Sequence, residues 1–194
     1  MTIDSARGAV MNRKSMLTIL MTTAWFAVLS GLALSAQDKY AVKVPGGLAF
    51  SEFRGYESWQ VISMSATARA VAVTVGDPAM IEAYQAGFPA NGKPVPDGAR
   101  MAKIHWAPKK NAFFPDATVP GTQVNVDFML KDSRRFADSG GWGYAVFDYD
   151  GATDTFKPGT LAGTPPQGND AKCGFACHTK AKATDYVFTE YGKR

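Results

Sequence analysis

From Arg69 to Val75 apolar residues fall on alternate positions, with Val71, Val73 and Val75 on one side, the period-two pattern of a half-buried strand. Gly76 closes the run. Asp77 then has the character of an N-cap, Pro78 of a first helical residue and Gly87 of a stop. The helix between them would turn Met80, Ile81 and Tyr84 inward. Arg100 to Trp106 predicts a second strand, with Met101, Lys103 and His105 on one face and Ala102, Ile104 and Trp106 on the other. Gln123 to Lys131 alternates most strongly, setting Val124, Val126, Phe128 and Leu130 together, and Trp142 to Tyr149 reads as a further strand halted at Asp150-Gly151. Upstream, Phe50, Phe53, Tyr56 and Trp59 recur every three residues, which suits one face of a short helix weakened by Gly55. Downstream, Ala176 to Tyr191 predicts a helix ended by Gly192. Pro/Gly-rich stretches at 89–98, 107–121 and through Pro158, Pro165 and Pro166 read as loops. The order is helix, strand, helix, three strands, helix. Consecutive alternating strands joined by turns favour an α+β fold: an antiparallel β-sheet with flanking helices and a C-terminal helix.

The amino terminus has a different pattern. Arg13 and Lys14 precede an apolar run from Met16 to Leu34 that closes on Ser35-Ala36 before Gln37-Asp38-Lys39. A basic start, an apolar middle and a small-residue exit describe a secretory signal. The expected organisation is therefore a signal peptide at 1–36 and a single domain at 37–194, with Met11 available as an alternative start. An uncleaved membrane anchor is the other reading, since the run is about long enough to span a bilayer. Either way the domain would sit outside the cytoplasm, in the periplasm for the cleaved form.

Charge changes the picture little. Loss of residues 1–36 takes away Arg7, Arg13, Lys14 and Asp4, so the formal charge falls from +4 to +2. Basic residues are scattered, with Lys109-Lys110, Arg134-Arg135 and the terminal Lys193-Arg194 as the only doublets in the domain, which argues against a nucleic-acid partner.

Candidate chemistry is concentrated near the end, at Cys173-Gly174-Phe175-Ala176-Cys177-His178. These are the only two cysteines, and His178 is one of two histidines. A cysteine pair closed by histidine reads as a covalent haem site, with two thiols to add across the porphyrin vinyl groups and an imidazole to ligate iron from below. Three residues separate the cysteines where the usual motif has two. A Cys173–Cys177 disulfide, a reduced pair and a metal site are the competing readings of the same residues; export is compatible with both haem and disulfide.

Several segments resemble the cytochrome P-460 family, which includes hydroxylamine-oxidising haem enzymes and the nitric-oxide-binding cytochromes c′-beta. They are Gly76-Asp77-Pro78 through Ala83-Tyr84, Pro96-Asp97-Gly98 before Met101-Ala102-Lys103, Lys131-Asp132-Ser133-Arg134-Arg135-Phe136, and Gly140-Gly141-Trp142-Gly143-Tyr144. The last runs from Ala176-Cys177-His178-Thr179 to Asp185-Tyr186-Val187-Phe188-Thr189. The resemblance implies haem c held by Cys173 and Cys177, His178 as proximal iron ligand, and a five-coordinate iron open on its distal side. It makes Lys103 the counterpart of the strand lysine that bonds covalently to the porphyrin edge in the P-460 enzymes, and so the candidate catalytic and cofactor-binding lysine; the cytochromes c′-beta lack that bond. It also implies hydroxylamine or nitric oxide as substrate or ligand, a small periplasmic electron carrier as partner, and a homodimer. A non-catalytic nitric-oxide-binding protein and an electron carrier with a six-coordinate iron are the alternatives, and Met64, Met80, Met101, Met129 and His105 are of the right type for a sixth ligand. Phe113-Phe114 could cap the distal face or plug a loop. Asp127, Asp148 and Asp150 are candidate proton acceptors, with nothing in the sequence to choose among them.

Overall fold

The computed structural model describes residues 37–163, 165–169 and 174–192. The predicted signal or anchor at 1–36, and Cys173, lie outside the described residues. Among the described residues no helix is long and apolar enough to cross a membrane.

Six strands form one antiparallel meander in sequence order: β1 Gln60–Ala66, β2 Val71–Gly76, β3 Arg100–Lys110, β4 Thr118–Lys131, β5 Trp142–Asp150 and β6 Thr155–Pro158. The expected α+β class holds. The register separates the side chains into two faces. Val75, Ala102, Phe128 and Ala145 lie in one row, and Val73, Ile104, Val126 and Phe147 in the next, on the same face. The segment before β1 covers them. Its Phe50 is fully buried with its ring 5.1 Å from Phe128, 4.9 Å from Phe147 and 5.0 Å from Phe156, and Phe53 stacks on Phe128 at 4.0 Å. The three-residue spacing that suggested a helix there is real, but it belongs to two short 3-10 turns, Phe50–Phe53 and Tyr56–Ser58, divided by Gly55 in the left-handed region.

The opposite face carries the rows Gly76–Met101–Met129–Tyr144 and Thr74–Lys103–Asp127–Val146. Part of it is covered by α1, Pro78–Gln85, which buries Met80, Ile81 and Tyr84 as the sequence implied. Asp77 caps that helix through Met80 N at 3.0 Å and also accepts from Arg100 N (3.1 Å) and Arg100 Nε (2.9 Å), so one buried carboxylate ties α1 to the start of β3.

Two strands escaped the sequence reading. β1 alternates Ile62, Met64 and Ala66 with Ser63 and Ser65, a signal the sequence reading passed over, although the strand buries only Ile62; β6 is a four-residue edge strand ending in Pro158. The predicted C-terminal helix is a correction. Only Phe175–His178 is α-helical (α2), followed by 3-10 turns over Thr179–Thr184, and from Asp185 the chain turns and runs extended. The β-branched and aromatic run Thr184–Thr189 is poor helix material, and Lys131 and Trp142 of the sheet bind Asp185 within it instead. The loop expected at 107–121 is likewise mostly strand, with only residues 111–117 unpaired. Phe113 and Phe114 sit at the tip of that β3–β4 hairpin, 88% and 72% exposed, so within the chain they form neither of the two structures expected of them, a distal cap or a loop plug.

Candidate functional site

The uncovered part of the second sheet face and the C-terminal segment enclose a cavity of about 290 Å³, near the lower bound of small-ligand sites. Lys103, Asp127, Met129 and Tyr144 line it from the sheet; Cys177 and His178 line it from α2. The sequence-predicted site residues Lys103, Cys177 and His178 thus converge, although about seventy positions separate them in the chain.

The route to this meeting is set by β5. Beyond the four residues paired with β6, its outer edge still needs hydrogen-bond partners. Gly159 N donates to Val146 O (2.7 Å), Val146 N donates to Thr160 Oγ1 (2.9 Å), and the Gln167 amide both accepts from Tyr144 N and donates to Tyr144 O at 2.6 Å. The chain is thereby held along the sheet edge and delivered to α2 beside the cavity. Val187, Phe188 and Thr189 then return along its opening, and the Tyr84 hydroxyl donates to Thr189 O at 2.7 Å.

His178 is half-buried at the end of α2. Its Nδ1 lies 2.6 Å from Tyr186 O. A carbonyl oxygen only accepts, so Nδ1 carries the proton and Nε2 of the neutral ring keeps the lone pair a metal needs. The imidazole rests between Tyr144 (ring centroids 5.1 Å apart) and Phe188 (5.0 Å); Phe188 is exposed and forms part of the rim.

On the sheet, Lys103 pairs with Asp127 in register. Among the described residues the half-buried Lys103 ammonium makes no hydrogen bond or ion pair. Asp127 accepts from His105 Nε2 at 3.0 Å and from Asn125 Nδ2 at 2.9 Å, which aligns its carboxylate on the cavity wall. His105 is therefore a partner of Asp127, one register step from the row that carries Lys103. Of the three candidate acids, Asp127 lines the cavity; Asp148 and Asp150 lie further out along β5. Of the candidate sixth ligands, Met101 and Met129 line it, whereas Met80 is buried on the inner face of α1, away from the cavity lining, and Met64 is 80% exposed on β1.

The residues present fit a haem. They offer an imidazole nitrogen, a neighbouring thiol, an apolar surround and one further sign: Tyr144 Oη is buried with no hydrogen-bond partner among the described residues. Burial first, then the nearby Tyr186 and Asp185, push that phenol above its ordinary pKa, so it stays a donor in want of an acceptor. A bound group bearing carboxylates would supply one. Among the described residues no cluster of three His, Cys, Asp or Glu side chains could hold a metal ion by itself.

Sequence reasoning missed Asp127 as the favoured acid, and Tyr144. A polar residue at a strand position whose row is covered by other chain was the available signal for the first; nothing local marks the second.

No curated protein matches this chain. The family model described as Cytochrome P460 matches residues 53–189, from the 3-10 turn before β1 to the rim of the cavity, and the chain is therefore a haem protein of the cytochrome P460 family.

Proposed function

We propose that the haem is attached covalently through Cys173 and Cys177, that His178 ligates its iron, and that the protein oxidises hydroxylamine or handles nitric oxide in the space beside Lys103 and Asp127. One observation carries this reading: one cavity is lined by an imidazole oriented for metal binding, a thiol, a lysine without an ionic partner among the described residues and a carboxylate already aligned by two donors. When bound, haem supplies a redox-active iron with an open coordination position. The chain's own residues supply the rest. Asp127 takes a proton from hydroxylamine nitrogen or oxygen, His105 and Asn125 hold the carboxylate in position, and the apolar wall formed by Met129 and Val146 favours a small uncharged ligand over water. Lys103 is the candidate for a bond to the porphyrin edge, since it lines the cavity and no salt bridge holds it among the described residues. The N-terminal pattern supports export to the periplasm, and the family resemblance supports a small electron-carrying partner and a homodimer.

The test is direct. The protein is purified from cells competent to mature c-type cytochromes. Haem mass retained on the denatured chain, a five-coordinate spectrum and hydroxylamine-dependent reduction of an external acceptor are expected. Asp127→Asn should lower turnover about 10²–10⁴-fold while leaving nitric oxide binding intact. If Lys103→Ala leaves the reduced spectrum unchanged, there is no lysine bond. Nitric oxide binding without turnover assigns a gas-binding role; a low-spin six-coordinate iron assigns electron transfer, with Met101 or Met129 as the ligand to test. A colourless protein with a Cys173–Cys177 disulfide defeats the whole reading.

A further inference from the structure

Asp185 and Tyr186 are consecutive non-glycine residues in the left-handed region, with φ of 48° and 64°. Such a pair persists only where its surroundings dictate it. Here they do. Lys131, at the end of β4, is buried, and its Nζ lies 2.8 Å and 3.0 Å from the two Asp185 carboxylate oxygens. Val95 N, from the segment before β3, donates to Asp185 Oδ2 at 2.8 Å, and Trp142 Nε1, at the start of β5, donates to Asp185 O at 2.8 Å. Lys131 also lies 5.2 Å from the Trp142 ring and donates to Gly140 O at 3.3 Å. Three parts of the sheet region therefore grip one residue, and the next residue is Tyr186, whose carbonyl accepts from His178 Nδ1.

We infer that the buried Lys131–Asp185 pair is a positioning device for His178: it sets the Tyr186 carbonyl, and through it the orientation and basicity of the imidazole. The inference rests on the reading of His178 as the iron ligand. A firm Nδ1–H···O bond makes the opposite nitrogen a stronger donor, which strengthens the iron–histidine bond and favours the ferric state. A buried ion pair of this kind is weak evidence of stability and well suited to specifying geometry.

The two residues carry opposite charges, and this separates positioning from plain electrostatics. In the haem-loaded protein, charge alone would make Lys131→Met lower the reduction potential and Asp185→Asn raise it. Loss of positioning instead raises the potential in both and moves the ferrous iron–histidine stretching band in the resonance Raman spectrum to lower frequency in both. The double variant Lys131→Met/Asp185→Asn leaves no buried unpaired charge, which protects folding, and is expected to show the same downward band shift. Lys131→Arg, which keeps the pair, should restore the parent band. A haem-loaded double variant with an unchanged band, or single variants whose potentials move in opposite directions, would overturn the positioning role. Absence of haem from the parent protein would instead remove the ligand assignment beneath it.

Discussion

Gly140 offers a sharp test of how tightly the C-terminal segment is seated. Its φ is +72°, and a Cβ placed there would lie 2.2 Å from Tyr186 Cε2 and 2.4 Å from Cζ. Ordinary contact needs more than a further ångström, and the ring cannot simply swing away. Its backbone follows the clamped Asp185, and its face is shared with Phe175 at 5.9 Å. Gly140→Ala therefore carries two costs: about 1–2 kcal/mol for a side chain in the left-handed region and roughly 1–3 kcal/mol for overpacking. Gly92 is the internal control, with φ +68° and nothing within 4 Å of an added methyl, so Gly92→Ala carries only the first cost. At about 2–4 °C per kcal/mol for a domain of this size, Gly140→Ala should lower Tm by roughly 4–20 °C and Gly92→Ala by about 2–8 °C, and the overpacking should separate the two variants by about 2–12 °C. Thermal unfolding followed by circular dichroism measures both, with urea denaturation at constant m-value as a check. Equal losses in the two variants would refute the argument, because the Tyr186 contact would then cost nothing.

Asp77→Ala should destabilise by about 3 kcal/mol, the sum of a lost helix cap and two further lost hydrogen bonds, read as a shift in the denaturant midpoint. Phe113→Ser with Phe114→Ser should leave Tm and the haem spectrum unchanged, since both rings project from the hairpin tip; a spectral shift would put that tip at the cofactor. Ser133 donates to Asp97 through its hydroxyl (2.8 Å) and its backbone N–H (2.9 Å) and so lowers the Asp97 pKa. The contribution of a group with a lowered folded pKa is complete above the ordinary carboxylate range and is lost as pH falls through the lowered value. The stability gap between the parent and Asp97→Ala, followed by acid titration of the unfolding midpoint, should therefore stay constant near neutrality and close below that range. The group is exposed, so the gap will be small.

Much of this was legible from local pattern. The strands β2 to β5, the capped helix α1 and the division of β3 into a Lys103 face and an Ala102 face all follow from alternation and capping, because each is decided by neighbours a few residues away. The Cys177-His178 pair was visible as residue types suited to haem, and Lys103 through the family resemblance. What one dimension could not supply is convergence. Asp127 outranks Asp148 and Asp150 only because register sets it opposite Lys103 and beside His105 and Asn125. The Ala- and Lys-containing stretch 176–183 admits a helix, but its continuation does not follow: Lys131, Val95 and Trp142 bind Asp185 and turn the chain aside. Tyr186 thereby presents its carbonyl to His178. Local periodicity determined which segments are strands, and residue type and family resemblance marked the candidate site residues. Long-range hydrogen bonds and one buried ion pair, joining positions tens of residues apart, decided how those residues face one another.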